Sequence, residues 1–320
     1  MDLTQLALPL IYFIFFVGLV LLFAGGHFLV EGSSKLARIL HINPVIVGLT
    51  IVAFGTSMPE FLVSIFAAVS GATDVALGNI IGSNVSNIGL ILGVSALVRP
   101  IDINLKLLKF EIPLVIVVSA LFWVICLDGS LGRLDGFLLL AGFAVYLYIV
   151  IAGAKKGSEI HEEKYAPLDS KQEKKTLYYV AILGGMVGLS IGASLIVEAA
   201  TEVSHRLGVS ELALGLTVVA LGTSLPELAT SVVAAIKKEG DIGIGNIIGS
   251  NLFNMMAIAG PSALLHPLPV SDEIRWNQLP IMVGLTALMF PLLRSGRKLT
   301  RIEGGLLLGL YCCIMLWWVL

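Results

Sequence analysis

The chain carries one stretch of sequence twice. Gly55-Thr56-Ser57-Met58-Pro59-Glu60 returns as Gly222-Thr223-Ser224-Leu225-Pro226-Glu227, and each copy is followed by Gly-Asn-Ile-Ile-Gly-Ser-Asn, at Gly78 to Asn84 and at Gly245 to Asn251. The offset is 167 residues throughout. Between Gly48–Leu97 and Gly215–Leu264, 27 of 50 positions are identical without a gap. Apolar bias does not generate identity at Pro, Glu, Asn, Ser and Gly, so the likeness reads as duplication. It extends upstream, where Gly25, Val30 and Glu31 match Gly192, Val197 and Glu198. Each copy puts one glutamate, hydroxyls, a proline and glycines into an otherwise apolar stretch, which points to an ion site built by two repeats at mid-bilayer.

A bilayer setting follows from composition. The 320 residues are 57% hydrophobic and 13% charged, with a mean hydropathy of +0.96, against roughly 25% charge in a soluble domain. Apolar runs of about 20 residues recur along the chain, long enough to cross roughly 30 Å of hydrocarbon. The net charge of −2 implies no polyanionic partner such as nucleic acid. Cys126, Cys312 and Cys313 lie in apolar runs without metal-type spacing and read as packing residues. The first basic residue is Lys35, so no charged segment of the kind that opens a cleaved signal peptide precedes the first apolar run.

The expected fold is an all-α integral membrane protein of about ten transmembrane helices. The spans are expected near residues 6–30, 44–70, 75–98, 109–127, 134–154, 178–201, 210–236, 242–265, 277–294 and 301–320. Two five-helix repeats, 1–154 and 178–320, flank a polar linker at 155–177. Basic residues set the orientation. Seventeen of the 20 follow odd-numbered spans, and Arg133, Arg206 and Arg275 make up the rest. The positive-inside rule puts the linker in the cytoplasm and both termini outside, as expected of a multi-pass protein of the cell (inner) membrane. Five spans separate equivalent points of the repeats. Five is odd, so the halves enter the membrane with opposite orientation, as an inverted-topology repeat.

Glu60 and Glu227 fall near the centres of spans two and seven, where a charge costs about 2.5–3.5 kcal/mol on insertion scales. Neither motif contains a lysine, arginine or histidine. A bound cation is the natural partner, and a protonated, structurally hydrogen-bonded glutamate is the alternative. On a helix, Thr56, Ser57 and Ser64 share the face of Glu60, as Thr223, Ser224 and Ser231 share that of Glu227. Pro59 and Pro226 deprive the carbonyls of Gly55 and Gly222 of their helical donor, and a break there is expected to free those of Ala53 and Ala220 as well. Downstream, Ser83 and Asn87, and Ser250 and Asn254, are i,i+4 neighbours. Such oxygen-rich sets suit Ca²⁺, which takes about six to eight oxygens, and equally Na⁺. Gly78, Gly82, Gly245 and Gly249 are expected to combine close helix packing with the breaks. Asn79 and Asn246 read as helix breakers or as ligands. Glu31 and Glu198 read as interfacial charges or as gating residues. The five histidines show no pairing.

The paired Gly-Thr-Ser-x-Pro-Glu and Gly-Ser-Asn-x-x-Asn elements resemble the two alpha-repeats of the cation/calcium antiporter superfamily, specifically the prokaryotic sodium/calcium exchangers. The resemblance covers nearly the whole chain. It implies alternating access around a central site, with several Na⁺ exchanged for one Ca²⁺ and no resident cofactor. It implies carboxylate ligands at Glu60 and Glu227. Hydroxyl and amide ligands are implied at Thr56, Ser57, Ser83, Asn87, Thr223, Ser224, Ser250 and Asn254, and carbonyl ligands at Ala53 and Ala220. Some archaeal relatives and the potassium-dependent exchangers carry aspartate where this chain has Asn254. The site is therefore expected to hold two charges and to need no K⁺. One Ca²⁺ then makes a neutral complex and three Na⁺ one of +1, so transport is expected to be electrogenic. The short linker leaves no room for the large calcium-sensing domain of animal exchangers, and no protein partner is evident. A proton/calcium exchanger of the same fold is the alternative, although such relatives usually show a Gly-Asn-Ala-x-Glu type motif. Two inverted half-sites suit alternating access better than a channel pore, and no nucleophile–base pair supports an intramembrane protease.

Overall fold

The computed structural model describes residues 7–105, 107–156, 175–206 and 220–319. The first half runs α1 (Leu8–Ile39), α2 (Pro44–Thr56), α3 (Met58–Val69), α4 (Thr73–Val98), β1 (Ile101–Asp102), α5 (Leu107–Asp128), β2 (Ser130–Leu131) and α6 (Arg133–Lys156). The second half runs α7 (Lys175–Arg206), α8 (Ala220–Thr223), α9 (Leu225–Ile236), α10 (Gly240–Leu265), β3 (Leu268–Pro269), α11 (Ile274–Arg297), β4 (Lys298–Leu299) and α12 (Arg301–Val319). The order of elements repeats. α7, α9, α10 and β3 begin and end 167 residues after α1, α3, α4 and β1, and the offset becomes 168 at β4.

Among the described residues, eight helices are long and apolar enough to cross a membrane, and α2 with α3 form a further span bent by 49°. The protein is thus an all-helical, multi-pass membrane protein. The segment expected as span seven falls partly on 207–219, outside the described residues, and most of the linker at 155–177 lies outside them too. Two boundaries differ from expectation. α1 and α7 are 32 residues each, because the amphipathic turns carrying Glu31, Lys35 and Arg38 continue the helix beyond the apolar run.

Burial sorts the helices. α10 is buried along its whole span window and α4 along 78% of it, whereas α6 and α12 bury about a fifth. The two helices of the duplicated Gly-Asn-Ile-Ile-Gly-Ser-Asn element therefore form the centre. The outer helices turn Phe16, Phe66, Leu134, Phe137 and Tyr148 outward, as hydrocarbon permits. Cys126 is buried, but Cys312 and Cys313 are exposed on α12, so of the three only Cys126 is a core packing residue.

Glycines let the halves interlock. A Cβ on Gly25 would stand 2.8 Å from the carbonyl oxygen of Gly185, and one on Gly18 2.9 Å from that of Gly192. Gly185 and Gly192 are the 167-residue equivalents of Gly18 and Gly25, so α1 and α7 cross in a reciprocal contact of backbone on backbone. Gly245 and Gly249 do the same for α10 against α2, with Cβ positions 2.7 and 2.6 Å from the carbonyl oxygens of Val45 and Leu49. Gly78 and Gly82 meet nothing within 4 Å among the described residues. Residues 212–216, the 167-residue equivalents of 45–49, lie outside that set.

Two small antiparallel sheets also join the halves: β1 pairs with β4, Ile101 opposite Leu299, and β2 pairs with β3, Leu131 opposite Leu268. β1 and β2 flank α5, whose 22 residues span about 33 Å. The sheets therefore sit at opposite ends of one membrane-spanning helix.

Candidate ion-binding site

The site forms where the bent helices meet α4 and α10. Ser57 leaves helical geometry (φ −83°, ψ 9°), and Ser224 does the same (φ −85°, ψ 1°). Pro59 and Pro226 occupy the first turns of α3 and α9, where the missing N–H is harmless. Glu60 and Glu227 therefore stand in the first turn of their helices, at the positive end of the helix dipole. Downstream, hydrogen bonding widens to the π pattern over Asn87–Leu92 and Phe253–Ile258, placing Asn87 and Asn254 in distorted turns of the kind common at functional sites.

The expected site residues are buried. Glu60, Glu227, Asn87 and Asn254 are each 1% exposed, and Thr56, Ser57, Ser83, Ser224, Ser250, Thr223 and Ala53 are buried with them. Ala220 opens α8, and the surroundings of its side chain lie outside the described residues. The Ser57 hydroxyl donates to Glu227 Oε1 at 2.8 Å and lies 3.0 Å from Ser250 Oγ. Ser224, the equivalent of Ser57, is buried with its Oγ unpartnered, so the mirrored hydrogen bond to Glu60 is not made. Asn87 Nδ2 donates to Asn251 Oδ1 at 2.9 Å. The first half thus supplies a hydroxyl that meets the carboxylate of the second.

Several oxygens of this set have no hydrogen-bond partner: Glu60 Oε2, Glu227 Oε2, Ser83 Oγ, Ser224 Oγ, Asn87 Oδ1 and Asn254 Oδ1. Among the described residues no basic side chain pairs with Glu60 or Glu227, and no three His, Cys, Asp or Glu side chains converge. Two buried carboxylates without a countercharge cost several kcal/mol each. Acceptor oxygens gathered around them are the donor set of a hard cation.

One expectation changes. The Ala53 carbonyl is not freed by the break. It still accepts the Ser57 N–H at 3.0 Å, because the chain kinks after Ser57 rather than before it. One lone pair is left for a ligand.

Asn79 and Asn246 are central in a way their sequence left open. Thr56 Oγ1 donates to Asn246 Oδ1 at 3.0 Å, and Asn246 Nδ2 donates to Ser231 Oγ at 3.3 Å. Thr223 Oγ1 donates to Asn79 Oδ1 at 3.3 Å, and Asn79 Nδ2 donates to Ser64 Oγ at 2.9 Å and to the Glu60 carbonyl at 3.1 Å. The signal for a paired role was their duplication. Their threonine partners lie 144 and 190 residues away, and the pairing has no signature in the chain. Glu31 is ion-paired with Lys35 and Lys237, both at 2.8 Å, and His27 stands 3.0 Å from Glu31. His27 is therefore paired, contrary to expectation, and its i,i+4 spacing to Glu31 was the available clue. Glu198 sits half-buried on α7.

Comparison with known proteins gives the family. The family model described as sodium/calcium exchanger protein matches residues 10–152 and 177–320. The putative antiporter CaxA of Alkalimonas amylolytica is 39% identical over 302 residues, covering 91% of this chain and 93% of that protein. The sodium/calcium exchanger MaX1 of Methanosarcina acetivorans is 29% identical over 341 residues, covering 95% and 97%. A solved structure of the sodium-calcium exchanger NCX_Mj superposes with a TM-score of 0.85 at 32% identity, covering 97% of this chain and 99% of that one. The chain belongs to the sodium/calcium exchanger family and is a membrane transporter, a cation/Ca²⁺ antiporter of the prokaryotic type.

Proposed function

We propose that the protein exchanges Na⁺ for Ca²⁺ by alternating access around the site between α2–α3, α4, α8–α9 and α10. The observation that carries this reading is the pair of buried carboxylates, Glu60 and Glu227, with unpartnered oxygens and no basic neighbour among the described residues. In this reading the cation is bound by those two carboxylates, by the hydroxyls of Thr56, Ser57, Ser83, Thr223, Ser224 and Ser250, by the amide oxygens of Asn87 and Asn254, and by the carbonyls of Ala53 and Ala220. Ca²⁺ neutralises the two charges. Several Na⁺ do the same with one charge to spare, so occupancy by one ion excludes the other.

The halves, 1–154 and 178–320, act as inverted repeats in this proposal. Support comes from the sheets: the symmetry that carries β1 to β3 and β4 to β2 exchanges the sheet at one end of α5 for the sheet at the other. A two-fold operation that swaps the membrane faces has its axis in the membrane plane. With the basic loops cytoplasmic, both termini lie outside the inner membrane.

The test is ⁴⁵Ca²⁺ uptake into Na⁺-loaded proteoliposomes. Wild-type protein takes up Ca²⁺ without K⁺, and Glu60→Gln or Glu227→Gln lowers uptake by about 100-fold or more, the scale of breaking a buried charge pair. Retained exchange in both variants overturns the site. Uptake driven by a pH gradient without Na⁺ overturns sodium coupling in favour of protons.

A further inference from the structure

We propose that Asn79 and Asn246 are positioning residues of the ion site: each takes the hydroxyl proton of the other half's threonine, so that this threonine oxygen faces a cation with lone pairs alone. The proposal rests on the site reading above.

A threonine inside a helix ordinarily donates its hydroxyl proton to the carbonyl three or four residues back. For Thr56 that acceptor is the Ala53 carbonyl, here 3.4 Å away and already holding the Ser57 N–H. A second donor would occupy its remaining lone pair. Asn246 Oδ1 stands closer, at 3.0 Å, and takes the proton instead. The Ala53 carbonyl keeps one lone pair, and Thr56 Oγ1 keeps both of its own.

The orientation of the Asn79 amide follows from its neighbours. The Glu60 carbonyl can only accept, so the amide end that meets it is Nδ2 of Asn79. Oδ1 then faces Thr223, and that hydroxyl must donate. Asn246 repeats the arrangement, with Nδ2 toward Ser231, the residue one turn beyond Glu227, and Oδ1 toward Thr56. Each amide thereby bridges the entry to one bent helix and the carboxylate-bearing helix of the opposite half. Asn246 is completely buried, where an amide fixed by two partners holds its orientation.

The test is a pair of double-mutant cycles read as the Ca²⁺ concentration for half-maximal exchange. Asn246→Ala raises that concentration by about five- to tenfold, the scale of one hydrogen bond, while the maximal rate at saturating Ca²⁺ stays within about twofold. Thr56→Val raises the half-maximal concentration by at least as much, because it removes the ligand oxygen itself. Combining the two gives no more than the larger single effect, whereas Asn246→Ala with Thr223→Val multiplies. Multiplication in both pairs, or an unchanged half-maximal concentration, overturns the proposal. Should Asn246→Ala fail to assemble, the equivalent cycle of half-buried Asn79 with Thr223 decides by the same criteria. Glu60→Gln in the same vesicles separates the two ideas. If it abolishes exchange while the asparagine cycles are additive, only the positioning role falls. If it leaves exchange intact, the site itself falls.

Discussion

At the scale of single residues, the proposed site makes Asn254 the position that sets how charge moves. Its amide lies at the start of a π turn, 1% exposed, with neither Oδ1 nor Nδ2 hydrogen-bonded. An aspartate there would have the same shape and one more negative charge. On the proposed reading the native site carries −2, the Ca²⁺-loaded form is neutral and the form loaded with three Na⁺ carries +1, so membrane potential is expected to act on the Na⁺ step. Asn254→Asp moves both forms down by one. Ca²⁺/Ca²⁺ self-exchange in vesicles is therefore expected to be independent of membrane potential in the wild type and voltage-dependent in the variant. A voltage-dependent wild type would mean that the site does not carry two charges.

At the scale of elements, the α1–α7 crossing is held by shape. Gly25 leaves no room for a side chain, since a Cβ would stand 2.7 Å from the Leu189 nitrogen and 2.8 Å from the Gly185 oxygen. Neither backbone atom can rotate aside as a flexible side chain would. Gly25→Val is expected to force the helices apart at a cost of about 1–3 kcal/mol, read as a lower apparent melting temperature in detergent. Gly284→Ala, with nothing within 4 Å, is the control and leaves melting unchanged. The polar end of α1 is held differently. Arg38 and Ser34 reach Glu239 at 2.8 and 2.7 Å, and Lys237 reaches Glu31 at 2.8 Å, tying α1 to the α9–α10 turn. The Glu31–Lys237 pair is partly exposed and contributes only about 0–1 kcal/mol.

At the scale of the whole molecule, the testable statement is orientation. Arg99 and Arg133 are exposed at the two ends of α5. In a background without Cys126, Cys312 and Cys313, Arg99→Cys is expected to react with a membrane-impermeant maleimide from the cytoplasmic face and Arg133→Cys from the outside. Labelling of both from one face would contradict the topology, and reversed labelling would contradict the charge rule. The cross-paired sheets make the halves one unit, because each half supplies a strand at both ends of the bundle.

The chain by itself determined the apolar helices, their duplicated order and the acidic, hydroxyl and amide residues at their centre. These are local properties: span length is set by bilayer thickness, a break by proline, and an oxygen-rich cation site by residue type. Its periodicity also marked Glu60 with Ser64 and Glu227 with Ser231 as neighbours on one helix face. Only the tertiary structure decided what faces what across the halves: Ser57 on Glu227, Thr56 on Asn246, Thr223 on Asn79, Gly25 on Gly185. It also decided that the Ala53 carbonyl keeps its helical partner and that His27 and Glu31 join an ion-paired cluster. Contacts between residues 144 to 206 positions apart carry no periodicity or spacing in the chain. They exist because two glycine-lined helix pairs and two short sheets bring the repeats to a separation at which a hydroxyl of one half can meet a carboxylate of the other.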